Sequence, residues 1–147
     1  MIAVIQRVSQ ASVSVDEKIV ASIDTGYLVL VGINSGDTER DREYIVKKLL
    51  NIRLFPSEAK NIDKSIKDIN GQLLLVSQFT LYANCTKGNR PSFTDAMPPD
   101  QAKFFYEDFV AECKKQYSRV QSGVFGAMME VSLVNDGPVT IIIDSPQ

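Results

Sequence analysis

Two adjacent polar side chains, Ser77 and Gln78, interrupt an otherwise apolar stretch that runs from Leu73 to Ala83. A buried hydroxyl or amide without a partner costs about 1–3 kcal/mol. The pair therefore either satisfies neighbouring backbone groups or lines a pocket. Thr80 adds a second hydroxyl and is the obvious nucleophile by residue type, but a threonine nucleophile needs a neighbouring base. The chain has no histidine, which removes Ser-His-Asp and Cys-His chemistry and the commonest general base. Lysine or carboxylate activation stays open, although no spacing supports it. Hydrolytic chemistry here would rest on another base, on groups of the substrate, or on electrostatic stabilisation alone. A pocket-shaping role for Thr80 is favoured over a covalent one.

Other residues invite two readings each. Gly137-Pro138 lies between apolar runs and is first of all a turn signal. Arg7 sits in an apolar N-terminal segment, either as an edge-strand charge in solvent or as a donor to backbone carbonyls. Phe125 and Met129 read by default as core. Asn89 and Arg90 belong to a Gly/Pro/Asn/Thr-rich stretch, Asn84 to Met97, consistent with a long functional loop. Cys85 and Cys113 fit neither a metal spacing nor a disulfide framework, so no metal or cofactor is expected.

The elements that must position these residues follow from periodicity. At 147 residues and 44% hydrophobic content, the chain suffices for one domain, 1–147, with a real core. Ile2 to Val8 and Ala11 to Val15 alternate as paired strands with a bend near Ser9 and Gln10. Ile19 to Ile23 is a third strand, and the apolar run Tyr27 to Ile33 predicts burial on both faces. Asp37 or Thr38 caps a helix running to about Leu50, with Tyr44, Ile45, Lys48 and Leu49 as its stripe and Glu39 to Glu43 as a solvated face. A short strand, Ile52 to Phe55, precedes an exposed loop from Ser57 to Lys67. Asn70-Gly71 is a turn that feeds a strand from Leu73 to Tyr82. A second helix starts at Pro98-Pro99-Asp100, with Ala102, Phe105, Phe109, Val110, Cys113 and Tyr117 as its core face. Arg119 to Ser122, Val124 to Val134 and Val139 to Ile143 close the chain as strands.

A net charge of −2 argues against a broad basic surface for nucleic acid. No apolar run approaches the roughly 20 residues that span a bilayer. With no signal-type segment at Met1–Arg7, a soluble cytoplasmic protein without membrane association is the expectation.

The block Ser77-Gln78-Phe79-Thr80-Leu81-Tyr82 resembles one of two signature motifs of the D-aminoacyl-tRNA deacylases, and Asn135-Asp136-Gly137-Pro138-Val139-Thr140 resembles the other. Ile5–Val8, Lys87–Phe93 and Gly123–Met129 are also similar to segments of that family, so the resemblance covers the chain in order. It implies an α/β fold, a single three-layer α/β/β domain with a barrel-like sheet core. It implies hydrolysis of D-aminoacyl-tRNA to D-amino acid and tRNA, with Ser77, Gln78, Phe79 and Thr80 around the aminoacyl-adenosine end. The Phe79 N–H would face the scissile carbonyl, and the terminal 2′-hydroxyl would help activate water. Gly137-Pro138 would carry a cis peptide and come from a partner subunit as a gate against L residues, so that a homodimer forms the site at its interface. Arg7 would hold that gate, Phe125 and Met129 would border the adenine, and Asn89 and Arg90 would belong to a substrate-binding loop, with Arg90 either touching phosphate or ordering the loop. A gate of this kind has nothing to clash with in glycine, so glycyl-tRNA is expected to be cleaved too. The rival from another class is a non-catalytic module for dimerisation or RNA binding.

Overall fold

Strand β1 (Ile2–Val15) organises the sheet, because each of its edges serves different neighbours. The computed structural model describes residues 1–146. Along one edge, the first half of β1 pairs antiparallel with β3 (Gly26–Gly32) and the second half with β2 (Lys18–Ile23). The opposite edge of β1 pairs along nearly its whole length with β8 (Glu130–Asp144). Strand β6 (Gln72–Ser77) lies parallel to β3, and β7 (Val120–Ser122) parallel to β6. The sheet then curls: the Ser22 N–H donates to Gln121 Oε1 at 3.0 Å and the Asp24 N–H to Gln72 Oε1 at 2.8 Å. These side-chain bonds bring β2 against β7 and β6 and nearly close a barrel, leaving few free edges.

Successive side chains of a strand point to opposite faces, and the apolar continuity of β3 and β6 has its cause there. Tyr27, Val29 and Val31, with Leu73 and Leu75, face the helices; Leu28, Leu74 and Val76 face the barrel interior beside Val8, Val13 and Ile23. The helical layer consists of α1 (Glu39–Asn51) and α2 (Pro99–Gln116). Helix α1 starts where the Thr38 N–H and hydroxyl both donate to Asp41 Oδ2 at 2.8 Å. It buries Ile45, Val46, Leu49 and Leu50. Helix α2 opens with Pro99 in its first turn, where a missing N–H costs nothing, and buries Ala102, Tyr106, Phe109, Val110 and Cys113. The fold is thus the expected three-layer α/β/β arrangement around a barrel-like sheet.

Several boundaries differ from the sequence expectation. Ile2–Val8 and Ala11–Val15 are one strand, with Ser9 and Gln10 exposed within it, because β8 supports both halves from the other edge. The segment Ser57–Lys67 contains β5 (Lys64–Ser65), paired with β4 (Arg53–Phe55), and buries Ile66 completely. Lys48 is exposed and places its ammonium 5.3 Å from the Tyr44 ring centroid, while Val46 takes the core position. Arg42 leaves the solvated face: it pairs with Glu39 and Asp108 at 3.2 and 3.1 Å and stacks over Phe105, joining α1 to α2. On α2, Tyr106 joins Phe109 as a buried aromatic, and Phe105 is only half-buried. Val124–Met129 is a turn-rich segment, and β8 runs continuously through Gly137-Pro138. Among the described residues no helix is long and apolar enough to cross a membrane.

Candidate active site

The parallel strands β3, β6 and β7 end at the same side of the sheet, and Ser77 marks that edge. Its partner is Val31, and it continues the helix-facing alternation of Leu73 and Leu75. The Gln78 N–H makes a last bond to the Val31 carbonyl at 2.7 Å. The expected strand to Tyr82 stops there, and Phe79–Tyr82 forms a single 3₁₀ turn. Gly32 makes room for it: a Cβ at Gly32 would lie 3.0 Å from Leu81 Cβ and 3.3 Å from the Tyr82 ring. The opening N–H groups of such a turn have no partner within it, and among the described residues no acceptor meets the Phe79 N–H. The Gln78 side-chain amide donates to the Thr80 hydroxyl. The Phe79 ring is 58% exposed and stands edge-on to Phe93, with centroids 5.0 Å apart.

Phe93 belongs to the long loop, which is pinned at both ends. Asn84 and Ser92 exchange backbone bonds of 2.7 and 2.9 Å, and the Met97 N–H donates to the Ile33 carbonyl at 2.9 Å. Asn89 and Arg90 lie exposed between those anchors and make no side-chain hydrogen bond among the described residues. Phe125 is half-buried with its ring 5.8 Å from that of Tyr106. It borders a cavity of about 320 Å³ between α2 and the exit of β7. Met129 packs instead against the barrel-interior cluster, its sulfur 2.7 Å from where a Gly123 Cβ would sit. The two residues therefore flank Gly123 from opposite faces.

Arg7 is 8% exposed, not an edge charge in solvent. Its Nη1 donates to the Leu54 carbonyl at 2.6 Å and its Nε to the Asp136 carbonyl at 3.0 Å, with Asp136 Oδ2 at 3.3 Å. Opposite it, four residues of β8 (136–139) span the place of one residue of β1, a bulge that carries the cis Gly137-Pro138 peptide. Gly137 has φ +127, and a Cβ there would meet Val139 Cγ2 at 2.9 Å and Arg7 Nη2 at 3.1 Å, so glycine is required. Arg7 pairs with Tyr27 at the start of β3, whereas Ser77 pairs with Val31 near its end. Three strand spacings of about 4.8 Å and four residues of about 3.3 Å separate the two motifs. Within one chain they do not share a pocket.

Burial pushes the Tyr27 and Tyr106 phenols upward, and burial with nearby Asp37, Asp144 and Asp41 does the same to Tyr82, so all three stay neutral. Cys113 is likewise pushed up to about 12, chiefly by burial, which keeps it an unreactive thiol. Among the described residues no group of three His, Cys, Asp or Glu is placed to hold a metal ion. The site around Ser77–Thr80 thus offers a backbone donor, an amide and hydroxyls, groups that can polarise a bound carbonyl without titrating near neutrality. Sequence reasoning missed Gly32, the Leu54 carbonyl and Tyr106. Only Tyr106 had a legible signal, its spacing from Ala102, Phe109, Val110 and Cys113.

An α/β/β domain with a histidine-free polar cluster at the carboxyl ends of its parallel strands is a specific combination. The family model described as D-Tyr-tRNA(Tyr) deacylase matches residues 4–144. A protein of Clostridium acetobutylicum named D-aminoacyl-tRNA deacylase is 51% identical over 99% of this chain and 97% of its own. One of Cytophaga hutchinsonii with the same name is 53% identical over the same shares. Among solved structures, a c-Myc DNA unwinding element binding protein superposes with a TM-score of 0.94 at 44% identity over 100% of both chains. A probable eukaryotic D-amino acid tRNA deacylase shares the fold, with a TM-score of 0.85 at 19% identity over 97% of both. The chain belongs to the D-Tyr-tRNA(Tyr) deacylase family.

Proposed function

We propose that this protein hydrolyses the ester bond of D-aminoacyl-tRNA, releasing the D-amino acid and tRNA, and spares L-aminoacyl-tRNA. The observation that carries the reading is the Phe79 N–H, which meets no acceptor among the described residues and stands at the head of a turn that Ser77, Gln78 and Thr80 surround. Water attacks the ester carbonyl with help from the 2′-hydroxyl of the terminal ribose. The tetrahedral oxyanion accepts a hydrogen bond from Phe79, an interaction typically worth about 10²–10³ in rate. Collapse breaks the bond to the ribose oxygen, which leaves with a proton. Gln78 orients the Thr80 hydroxyl, and the aminoacyl-adenosine end lies between this turn and the Phe125–Met129 segment.

Discrimination between enantiomers falls to Gly137-Pro138 of a second copy, with Arg7 as its brace. The separation of the two motifs within one chain supports this, because only a partner's bulge can reach the pocket. Strand β8 supports it too: it is 15 residues long, pairs among the described residues on one edge only and exposes Val134 and Ile142, and such edges are normally covered. The reading therefore includes a homodimer with interface sites. Glycyl-tRNA is a second substrate, since a steric gate finds no side chain to reject.

A nucleic-acid-binding module is the alternative that one similar structure's description favours. The net charge of −2 gives it little electrostatic support. Deacylation of D-Tyr-tRNA beside L-Tyr-tRNA decides between them. The deacylase reading requires fast release from the D ester and slow release from the L ester. Equal rates, or none, refute it.

A further inference from the structure

The packing and the mechanism above leave one buried hydroxyl unused, that of Tyr106. We propose that it hydrogen-bonds one edge of the terminal adenine of the tRNA, which makes Tyr106 a substrate-binding residue as well as a core one. This rests on the deacylase reading and on the adenine lying beside Phe125, and it names the polar group that the base meets there.

Tyr106 lies on the buried stripe of α2 with Ala102, Phe109, Val110 and Cys113, where a phenylalanine would pack as well. Its hydroxyl is buried and has no hydrogen-bond partner among the described residues, whereas Tyr27 and Tyr117 donate theirs to backbone carbonyls. Burying an unpaired hydroxyl opposes folding. The oxygen at this position is therefore to be explained by something other than packing.

Its place supplies that explanation. Tyr106 forms part of the wall of the cavity between α2 and the exit of β7, together with Val110, Ser122 and Phe125. Ser122 pairs with Leu75, two residues before Ser77 on the neighbouring strand, and Leu75 and Ser77 point to the same helix-facing side. Two residues of β6 and one strand spacing are about 7 Å and 5 Å, a separation that the ribose between base and ester can bridge. At about 320 Å³ the cavity is of ligand-binding size. Phe125 and Val110 offer apolar contact to the faces of a base, and a neutral phenol can donate to a ring nitrogen or accept from the exocyclic amine. Tyr106 is only 3% exposed, so a neighbour must yield before a base touches its oxygen. Phe125 is positioned to do so: its ring lies 5.8 Å from that of Tyr106, it is half-buried, and it precedes Gly126, which has φ +74 and open space beside it. Changes of side-chain rotamer on binding are common.

The test is a double-mutant cycle between Tyr106→Phe and the base. The substrates are D-Tyr-tRNA and four versions altered only in the terminal adenine: three with C–H replacing N1, N3 or N7 in turn, and one lacking the exocyclic amine. Tyr106→Phe should unfold in urea at or above the wild-type midpoint, because it discards an unpaired oxygen. On D-Tyr-tRNA it should lose about threefold to tenfold in kcat/KM, chiefly through KM, as one neutral hydrogen bond held equally in ground and transition states requires. One of the four altered tRNAs should cost wild type the same factor and cost Tyr106→Phe nothing further, and that tRNA identifies the atom bound. The proposal is overturned if Tyr106→Phe matches wild type on D-Tyr-tRNA, or if its loss is the same on all five tRNAs. A lowered urea midpoint together with such a uniform loss makes the hydroxyl structural. A wild type that does not cleave D-Tyr-tRNA refutes the deacylase reading instead.

Discussion

Replacing Arg7 by methionine should cost stability and, on the proposed reading, chiral fidelity together, and the structure fixes the scale of the first. The bond to Leu54 matters more: it is 2.6 Å long, charge-assisted, and made to a carbonyl of a 4% exposed residue. Charged hydrogen bonds of this kind contribute about 1.5–3 kcal/mol, and the orphaned acceptor stays buried. The contact with Asp136 adds little, because that side chain is 48% exposed and exposed pairs are worth about 0–1 kcal/mol. Methionine retains part of the packing and removes a buried charge, which offsets some of the loss. The net is about 2–3 kcal/mol, or roughly 4–12 °C in Tm for a chain of this length. Arg7→Lys should fall between, since one ammonium reaches one of the two carbonyls. Urea unfolding at one fixed protein concentration reads the first effect. Deacylation of D- and L-Tyr-tRNA reads the second, and the D-to-L rate ratio should fall further than the D rate. A variant that unfolds at the wild-type midpoint refutes the stability argument. One that is destabilised yet keeps the full D-to-L ratio shows that Arg7 fills the core without bracing Gly137.

Thr80→Ala should retain much of the wild-type rate, while a substrate lacking the terminal 2′-hydroxyl should be cleaved far more slowly. A loss beyond about 10³-fold in a folded Thr80→Ala protein would make that hydroxyl essential and displace the backbone donor from its role. Gly-tRNA should be hydrolysed, more slowly than D-Ala-tRNA, because lacking a methyl costs only about 1–3 kcal/mol in an apolar pocket; if Gly-tRNA resists as completely as L-Ala-tRNA, exclusion is not steric. Asp41 gives a pH-dependent prediction: burial raises its carboxyl, but bonds from Ser145 and Thr38 outweigh this and hold it at about 2, below the ordinary 3.8. Its contribution is therefore complete above about pH 4 and lost as pH falls through the folded value. Screening at this solvent-bordering site reduces it to about 1 kcal/mol. Asp41→Asn should cost that amount in urea melts at pH 7, with the gap to wild type closing toward pH 2; a gap that widens on acidification contradicts the assignment.

The sequence carried the layers better than the ends of elements. Burial of β3 and β6 on both faces was legible because a continuous aliphatic run of strand length points apolar side chains to both sides, and each side must then be covered. The 3₁₀ turn at Phe79–Tyr82 was not, since Phe, Thr, Leu and Tyr all sit comfortably in strands. What bends the chain there is tertiary: the Val31 carbonyl takes the last ladder bond and Gly32 leaves the space beneath. Gly137-Pro138 misled in the opposite way, as a turn signal that proved to be a bulge inside β8. Ser9-Gln10 looked like a bend for the same local reason, and β8 on the far edge kept β1 straight enough to remain one strand.

These misses share a cause that bears on how the site works. The groups proposed to do the chemistry and the selection are main-chain ones: the Phe79 N–H, the backbone at Gly137, and the carbonyls of Leu54 and Asp136 that engage Arg7. A search by residue type sees a chain with no histidine and expects little of it. Main-chain groups have no rotamers to lose and no pKa near neutrality, so a pocket built from them can reject one substituent position whatever the side chain. In the proposed reading the excluding unit and the polarising unit belong to different copies of the chain. The two lie at opposite ends of β3 within one chain, and that separation is what favours the reading. The same reading ties selectivity to assembly: dilution through the proposed dimer's dissociation constant should lower the D-to-L rate ratio, and a ratio that stays constant over that range refutes it.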